Sequence, residues 1–349
     1  MDFTPDETLR DVAELAASVL RAEPDHSRTT TALASPLGYD ETAWKAMAQA
    51  GLLSLAIPTE HGGDGLGAVE VAAVLTEVGR QTLPVPALAT LALGVLPVAA
   101  LGTPTQQSVL ADVAHGAVLT AALRPMSAVR AGDDLVISGS ASGVPFAAQA
   151  TRILVPTDLG IALVAPDADG VTLARGTTST GTPEYTLSCT AVRVGGADVL
   201  AGTAGDLERF AVAGAAALAD GVGAGALALT AAHLRERRQF GKPLATFQAV
   251  AQQIADVYVT TRAVHLAALS ANWRLATGRD ADDDLDIAAY WLAAELVPAL
   301  QACHHLHGGL GVDITYPLHR YYAQAKDLAR FVGGASLRLD RIGVRCSSN

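Results

Sequence analysis

The spacing of apolar residues changes twice along this 349-residue chain, and these two changes limit the folds open to it. Before about Val118, apolar side chains recur at helical spacing. Between Val118 and about Asp206 they fall in short runs separated by Gly, Asp and Pro, which is typical of strands. Helical spacing then returns. The sequence therefore predicts an α+β multidomain fold: an N-terminal helical domain (1–116), a middle β-barrel or sandwich domain (117–204) and a C-terminal four-helix bundle (205–349).

The boundaries of individual elements are also predicted. We expect Thr4 to cap the first helix, with Pro5 in its first turn, and Asp40 to cap the second helix. Further N-terminal helices are expected at 68–80, 87–101 and 105–115. Strands are expected at 118–123, 135–138, 152–155, 161–164, 170–173 and 185–194. C-terminal helices are expected at about 206–235, 246–277 and 283–307, with a shorter one after Pro317.

Charge and composition argue against several classes of function. The formal net charge is −11, so the chain lacks the basic face that neutralises nucleic-acid phosphates. Its three cysteines, Cys189, Cys303 and Cys346, are widely spaced and indicate neither a disulfide framework nor a metal pattern. The N-terminus lacks a basic and apolar leader, and prolines interrupt the one long uncharged run, 83–101. We therefore expect a cytoplasmic protein without a nucleic-acid, membrane or metal partner.

One segment lies between two long helical patterns and interrupts both. From residue 236 it reads Glu-Arg-Arg-Gln-Phe-Gly-Lys-Pro-Leu-Ala-Thr-Phe-Gln. Gly241 and Pro243 end the helical periodicity, so the segment is predicted to form a corner between two helices. Arg237 and Arg238 then lie in the last turn of the first helix, where cations interact favourably with the helix dipole. By themselves, therefore, the two arginines require no ligand.

The whole segment resembles the Arg-x-Gln-Phe-Gly-x-Pro-[Leu/Ile]-x-x-Phe-Gln signature of the acyl-CoA dehydrogenases. The helical, β and helical parts also follow the order of domains in that family. The resemblance implies FAD as the cofactor, with Arg237 gripping its pyrophosphate. It also implies that four further residues line the adenosine half of the cofactor: Gln239, Phe240, Phe247 and Gln248.

A second motif begins within a cluster of histidines. His304 and His307 are spaced to share a helix face, but no carboxylate or cysteine completes a zinc site there, so no metal is predicted. The segment resembles the family's Gln-x-x-Gly-Gly-x-Gly motif, with His305 in the Gln position. The resemblance implies that His305, Gly308 and Gly309 meet the adenosine end of FAD. Glycines also remove side chains, which lets a ligand approach the backbone.

The flavin-ring site of the family is missing from the sequence. Relatives carry Thr-Glu-Pro-x-x-Gly-Ser-Asp in the β domain, followed by a Trp-[Ile/Val]-[Thr/Ser] strand. The corresponding regions here are Ala122–Val129 and Ser142–Phe146, and neither matches. The hydroxyl and backbone donors expected near the flavin edge are therefore not identified in this chain.

The catalytic base of the family is also missing. The usual glutamate is matched by Gly333, and the position used by a branched-chain subgroup is matched by the apolar residues Phe210–Val212. Asp220 and Glu208 are candidate substitutes, although the sequence favours ordinary helix-surface or capping roles for both. A positioned carboxylate contributes roughly 10²–10⁴-fold to such proton abstraction, and glycine has none. No catalytic residue is therefore assigned to this chain.

The retained and missing features together imply a division of labour. In homomeric members of the family, one subunit holds the flavin ring and the base, and its neighbour supplies the elements around the adenosine pyrophosphate. This chain resembles the small, non-catalytic subunit of actinobacterial heteromeric (α₂β₂) acyl-CoA dehydrogenases. The resemblance implies a larger catalytic partner in a heterotetramer, an acyl-CoA substrate from steroid degradation and an electron-transfer flavoprotein as acceptor. Two alternatives stay open: a self-sufficient homo-oligomeric dehydrogenase with Asp220 or another acid as its base, and a non-redox scaffold of the same fold.

Overall fold

The N-terminal part of the protein is helical. A computed structural model describes residues 3–21 and 26–348. In chain order the helices are α1 (Glu7–Leu20), α2 (His26–Ala34), α3 (Glu41–Gln49), α4 (Ala68–Gln81), α5 (Leu96–Leu101) and α6 (Pro104–Gln107). A π-helical stretch, Leu88–Val95, leads directly into α5, so the helix expected at 87–101 is present as one continuous element. Short 3₁₀ turns lie at Thr59–His61, Ser108–Leu110 and Val113–His115.

Two of the boundaries predicted for this part are wrong. The first helix is capped by Asp6 instead of Thr4, because the Asp6 carboxylate accepts a hydrogen bond from the Leu9 N–H at 2.8 Å. An ionised carboxylate stabilises a helix N-terminus more than a hydroxyl does, so the acid nearer the helix is preferred. The helix expected at 105–115 is broken after α6, where short polar and β-branched residues favour turns. Asp40 caps α3 as predicted, through the Ala43 N–H at 3.0 Å.

The middle part contains eight strands in two sheets. The strands are β1 (Val118–Ala121), β2 (Ser127–Ala131), β3 (Asp134–Pro145), β4 (Ala150–Thr157), β5 (Gly160–Val164), β6 (Val171–Thr177), β7 (Pro183–Val194) and β8 (Val199–Leu200). One sheet has the order β1–β4–β5–β8 and the other β2–β3–β7–β6. An isolated bridge between Met126 and Thr157 links them. The strands β2 and β8 were not predicted, because β8 is two residues long and β2 buries only Ala128.

The C-terminal part returns to helices. They are α7 (Ala204–Glu236), α8 (Gln248–Ala276), α9 (Asp282–Tyr290), α10 (Val297–His307), α11 (Leu318–Phe331) and α12 (Gly334–Ser348). A π-helical stretch, Trp291–Leu296, joins α9 to α10, so the helix expected at 283–307 is continuous. A short hairpin, β9 (Arg238–Gln239) and β10 (Lys242–Pro243), separates α7 from α8. The four predicted helices are present, and α12 adds a fifth. The division into separate domains at residues 116 and 204 stays a prediction.

The long helix α7 lies at the centre of the molecule. Glycines let it approach α4 closely, since a Cβ at Gly221 would lie 1.8 Å from the Thr76 carbonyl oxygen, and one at Gly79 would lie 2.1 Å from that of Leu218. By length and composition α7 would be able to cross a membrane, but 72 % of its most apolar window is buried inside the protein. Such burial is typical of the core helix of a globular protein.

Candidate functional site

The segment after α7 forms a tight hairpin at the predicted corner between two helices. β9 and β10 pair antiparallel, with Gln239 opposite Lys242 and Arg238 opposite Pro243. The two turn residues, Phe240 and Gly241, have φ of 51° and 81°. Positive φ at both positions is the geometry of a type I′ turn, which glycine at the second position makes easier. The hairpin therefore holds the motif residues in a defined shape at the end of α7.

The side chains of this hairpin point into solvent. The Phe240 ring is 92 % exposed, and it meets Phe247 edge to face at 6.2 Å between ring centroids. Gln239 and Gln248 are exposed. The backbone of Arg237 is fixed, because its N–H donates to the His233 carbonyl and its own carbonyl accepts from the Leu244 N–H, both at 2.8 Å.

The guanidinium of Arg237 is available for a ligand. It is exposed, and within the described parts of the chain it makes no hydrogen bond or salt bridge. Its neighbour Arg238, in contrast, donates to the Gly241 carbonyl at 3.2 Å and so supports the turn. The two arginines of the motif therefore differ in role: one stabilises the hairpin, and the other presents a free fork of donors.

The second motif forms an open turn at the end of α10. Gly308 has φ 59° and ψ −136°, and its N–H donates to the His305 carbonyl. His305, Gly308 and Gly309 are all exposed. A Cβ on either glycine would meet nothing within 4 Å, and the φ of Gly309 is not positive. Internal packing and backbone strain therefore give no reason for glycine at 309, whereas close approach of an external ligand does.

Two histidines that the motifs do not include bring these segments together. The His233 ring on α7 stacks on the His307 ring on α10, with centroids 4.4 Å apart and planes inclined by 22°. The backbone carbonyl of His233 accepts a hydrogen bond from the Arg237 N–H, and His307 directly precedes Gly308. The signal for this pairing was present in the histidine cluster, but sequence reasoning tested that cluster only as a metal site. Among the described residues, no group of three metal-binding side chains is found.

The buried partner of this stack has a defined tautomer. His307 Nδ1 lies 2.8 Å from the Cys303 carbonyl, which only accepts, so Nδ1 carries the proton. Nε2 then accepts from the Tyr316 hydroxyl at 3.0 Å. Burial lowers the pKa of His307 below its ordinary value, and the His233 ring lowers it further. Burial and the Arg237 charge likewise lower the pKa of His233. Both rings are therefore neutral near pH 7.

A cavity of about 680 Å³ lies between α2, the α4–α5 connection, β3 and α11. Its wall is mostly apolar and includes Leu83, Leu88, Phe146 and Phe331. Two acids line it, and both already have partners. Asp327 accepts the backbone N–H groups of Ser179 and Thr180 at 2.8 Å each, and Glu184 pairs with Arg330. These contacts join α11 to β7 and to the turn that precedes β7.

Several backbone donors in the β-sheet regions matched to the flavin-ring motif are occupied. The N–H groups of Ala122 and Met126 each donate to carbonyls of β4 at 2.9 Å, and that of Ala128 donates to the Asp158 carboxylate at 3.2 Å. Pro145 has no N–H, and the Phe146 N–H donates to the Pro183 carbonyl at 3.1 Å. These positions therefore offer no spare backbone donor to a flavin ring.

Gly333 leaves little room for a side chain. It follows α11 with φ 86°, and a Cβ there would lie 2.4 Å from the Leu337 Cδ2 atom. A glutamate at this position would therefore be strained and would displace Leu337.

The two substitute acids face elsewhere. Asp220 meets the His265 Nδ1 at 2.9 Å, in a groove of about 820 Å³ between α4, α7 and α8. Glu208 is paired with Arg338 at 3.0 Å and Arg341 at 2.7 Å. Neither acid lines the 680 Å³ cavity. At the third candidate position, Ala211 and Val212 are buried, and Phe210 is half-buried.

Two family models match this chain. "Acyl-CoA dehydrogenase, N-terminal domain" covers residues 6–117 and "Acyl-CoA dehydrogenase, C-terminal domain" covers residues 196–345. The chain is 45 % identical to acyl-CoA dehydrogenase FadE28 of Mycobacterium tuberculosis over 99 % of both proteins. It is 34 % identical to acyl-CoA dehydrogenase FadE27 of the same organism over 98 % of both.

Solved structures agree with these sequence matches. A chain of the ChsE4–ChsE5 complex from Mycobacterium tuberculosis superposes with a TM-score of 0.94 at 32 % identity, over the full length of both chains. A variant of the Tcur3481–Tcur3483 steroid ACAD gives a TM-score of 0.91 at 34 % identity, over 98 % of both chains. Butyryl-CoA dehydrogenase from Megasphaera elsdenii shares the fold, with a TM-score of 0.87. The chain belongs to the acyl-CoA dehydrogenase family, whose members are FAD-binding flavoproteins.

Proposed function

We propose that this chain is the non-catalytic subunit of a heteromeric acyl-CoA dehydrogenase, and that it contributes the adenosine-pyrophosphate half of the FAD site to a larger catalytic subunit. One observation carries the proposal. An exposed, preformed set of donors for the cofactor coexists with Gly333 at the base position and with occupied backbone donors at Ala122, Met126, Ala128 and Phe146, in the regions matched to the flavin-ring motif. In addition, two similar solved structures, ChsE4–ChsE5 and Tcur3481–Tcur3483, are pairs of different proteins.

The exposed corner suits the phosphate end of a dinucleotide. Arg237 presents a planar fork of donors, which binds phosphate oxygens in a bidentate manner. The open turn at Gly308 and Gly309 lets an adenosine approach the backbone. Phe240 offers a free aromatic face. We assign Gln239, Phe247, Gln248 and His305 to the same half of the cofactor.

Exposed apolar side chains beside these donors indicate that another protein covers them. Phe240 at the hairpin tip is 92 % exposed, and Val312 and Ile314 after the double-glycine turn are 81 % and 65 % exposed. Large apolar side chains grouped on a surface mark sites of protein association. Because the donors lie beside them, the protein that covers this surface would also enclose the cofactor.

The division of chemistry follows from the residues that each subunit would supply. When bound, FAD accepts the hydride that leaves the β carbon of the acyl thioester. This chain would hold the pyrophosphate through Arg237 and the adenosine through the turn at Gly308. The carboxylate that removes the α proton would come from the partner. We extend the proposal to a steroid-derived acyl-CoA, a heterotetramer, an electron-transfer flavoprotein as acceptor and a cytoplasmic location.

The test is purification of this chain alone and with a larger acyl-CoA dehydrogenase paralogue, followed by measurement of flavin absorbance per protein. We expect flavin in the complex and none in the isolated chain. Arg237→Ala should weaken FAD retention by roughly 10- to 100-fold, since a charge-assisted hydrogen bond contributes about 1.5–3 kcal/mol. Arg235→Ala, which removes an exposed arginine two residues earlier, is the matched control and should change retention little.

Three outcomes would contradict the proposal. Unchanged flavin occupancy in the Arg237→Ala complex would remove the pyrophosphate assignment. Flavin and turnover in the isolated chain, abolished by Asp220→Asn, would favour the self-sufficient homo-oligomeric enzyme. If neither the isolated chain nor the complex carries flavin, the scaffold alternative is favoured.

A further inference from the structure

We assign two segments to FAD, the Arg237 hairpin and the Gly308–Gly309 turn. Both begin next to the stack of His233 on His307. The rings lie 4.4 Å apart, between the last turn of α7 and the last turn of α10. Arg237 follows one turn after His233 and is hydrogen-bonded to its carbonyl at 2.8 Å. Gly308 follows His307 directly. A shift of one ring against the other therefore moves the pyrophosphate donor relative to the adenosine turn.

The stack is built for the neutral state of both rings. His307 is buried, and its two nitrogens are used by the Cys303 carbonyl and the Tyr316 hydroxyl at 2.8 Å and 3.0 Å. The other charged or titratable groups facing the pair are Glu236 at the end of α7, Arg237 directly after it, and His304 on α10. A second proton on His307 would have to enter at Nε2, opposite the Tyr316 oxygen. Two stacked imidazolium rings, one of them buried and both close to Arg237, would repel each other.

Below the stack, α7 and α10 are buried in the core of the protein. Thr230 and Cys303 lie one turn deeper on α7 and α10, and both are fully buried. The Thr230 hydroxyl donates to the Ala226 carbonyl at 2.7 Å, so its hydrogen bond lies within α7. A change in the stack is therefore expected to alter the ends of the two helices, where the cofactor segments begin, while their packing in the core remains.

We propose that His233 and His307 are positioning residues, which hold the Arg237 hairpin and the Gly308–Gly309 turn in register for one FAD, and that protonation of this stack on acidification loosens the two segments and releases the cofactor. The inference rests on the proposed function, because it requires that both segments meet the same FAD. It adds a pH dependence of FAD binding, which the two motifs by themselves do not predict.

The experiment uses the complex of this chain with its catalytic partner. Flavin retained after gel filtration is measured between pH 8 and pH 5, with hydrogen exchange of residues 305–312 as a second readout. The wild-type complex should lose flavin with a midpoint below about pH 6.5, the ordinary pKa of histidine. His233→Phe keeps a stacked ring that cannot be protonated, so its midpoint should lie at least about 0.5 pH unit lower. His233→Ala removes the stack and should retain several-fold less flavin at pH 7.5, with faster exchange at 305–312.

The control is His115→Phe, which replaces an exposed histidine at the end of the N-terminal helical part and should leave the midpoint unchanged. Identical midpoints for the wild type and His233→Phe would overturn the inference, as would full retention by His233→Ala at pH 7.5. A wild-type complex without flavin at pH 7.5 would instead overturn the proposed function itself. Arg237→Ala separates the inference from the proposed function. This variant should lower flavin retention at every pH without moving the midpoint of flavin loss to lower pH.

Discussion

At the scale of single residues, the contact between α4 and α7 depends on positions where any side chain would collide with backbone. Gly221 is the tightest of them, since a Cβ there would lie 1.8 Å from the Thr76 carbonyl oxygen and 2.7 Å from the Arg80 nitrogen. Backbone atoms of a helix cannot move aside as the end of a flexible side chain can. The two helices would therefore have to separate to accept even a methyl group.

We accordingly predict that Gly221→Ala lowers the free energy of unfolding by about 3 kcal/mol or more, the upper end of the usual cost of overpacking. Urea unfolding followed by circular dichroism is the measurement. Gly343→Ala is the matched control, because it adds the same methyl group to a helix where nothing lies within 4 Å. That substitution should be neutral or slightly stabilising, since Ala favours helix over Gly. Equal stability of the two variants would show that α4 and α7 do not cross as closely as described.

At the scale of elements, α12 is attached to the protein by charge more than by an apolar face. Arg338 is 3 % exposed and donates to the Val332 carbonyl at 2.6 Å, to Asp286 at 2.7 Å and to Glu208 at 3.0 Å. Arg345 reaches Asp286 as well, at 2.7 Å. One buried guanidinium therefore joins α12 to α7, to α9 and to the end of α11 beside Gly333.

We predict that Arg338→Ala destabilises the protein by about 3 kcal/mol, because it leaves the 4 % exposed Asp286 with only part of its compensating charge. The variant should also show faster hydrogen exchange along α12. Arg193→Ala breaks an exposed pair with Asp134 and, as the control, should cost less than about 1 kcal/mol. A similar small loss for both variants would mean that α12 is held by packing and not by its ion pairs.

At the scale of the whole molecule, large apolar side chains remain exposed in several places, among them two surfaces next to α7. One is the corner formed by the hairpin after α7 and the turn after α10, with Phe240, Val312 and Ile314, and the other is the outer face of α8, where Tyr258 and Val259 are 55 % and 63 % exposed. Both places are connected to α7, the first at its end and the second along the groove that α7 shares with α8. A chain that normally works inside an assembly is expected to leave such surfaces open when isolated.

We therefore predict that the isolated chain has no acyl-CoA dehydrogenase activity with added FAD, an acyl-CoA panel and an artificial acceptor, and that it self-associates. Light scattering after gel filtration measures the association, and addition of the catalytic partner should convert the aggregates into one defined complex. Replacement of Val312 by Asp should reduce both the self-association and the partner binding. A monomeric chain that turns over acyl-CoA by itself would contradict this prediction.

The sequence by itself determined the order of helical, β and helical parts, because apolar periodicity is a local property of the sequence and does not depend on tertiary contacts. It also located both motifs that we assign to the cofactor, since the residues of each motif are contiguous in the chain. Tertiary structure decided what periodicity does not contain: β2 with its single buried residue, α12 held by ion pairs, and the occupied backbone donors of the β sheets. It also decided that His233 stacks on His307, 74 positions later in the chain, because contacts between distant residues follow from how whole elements pack.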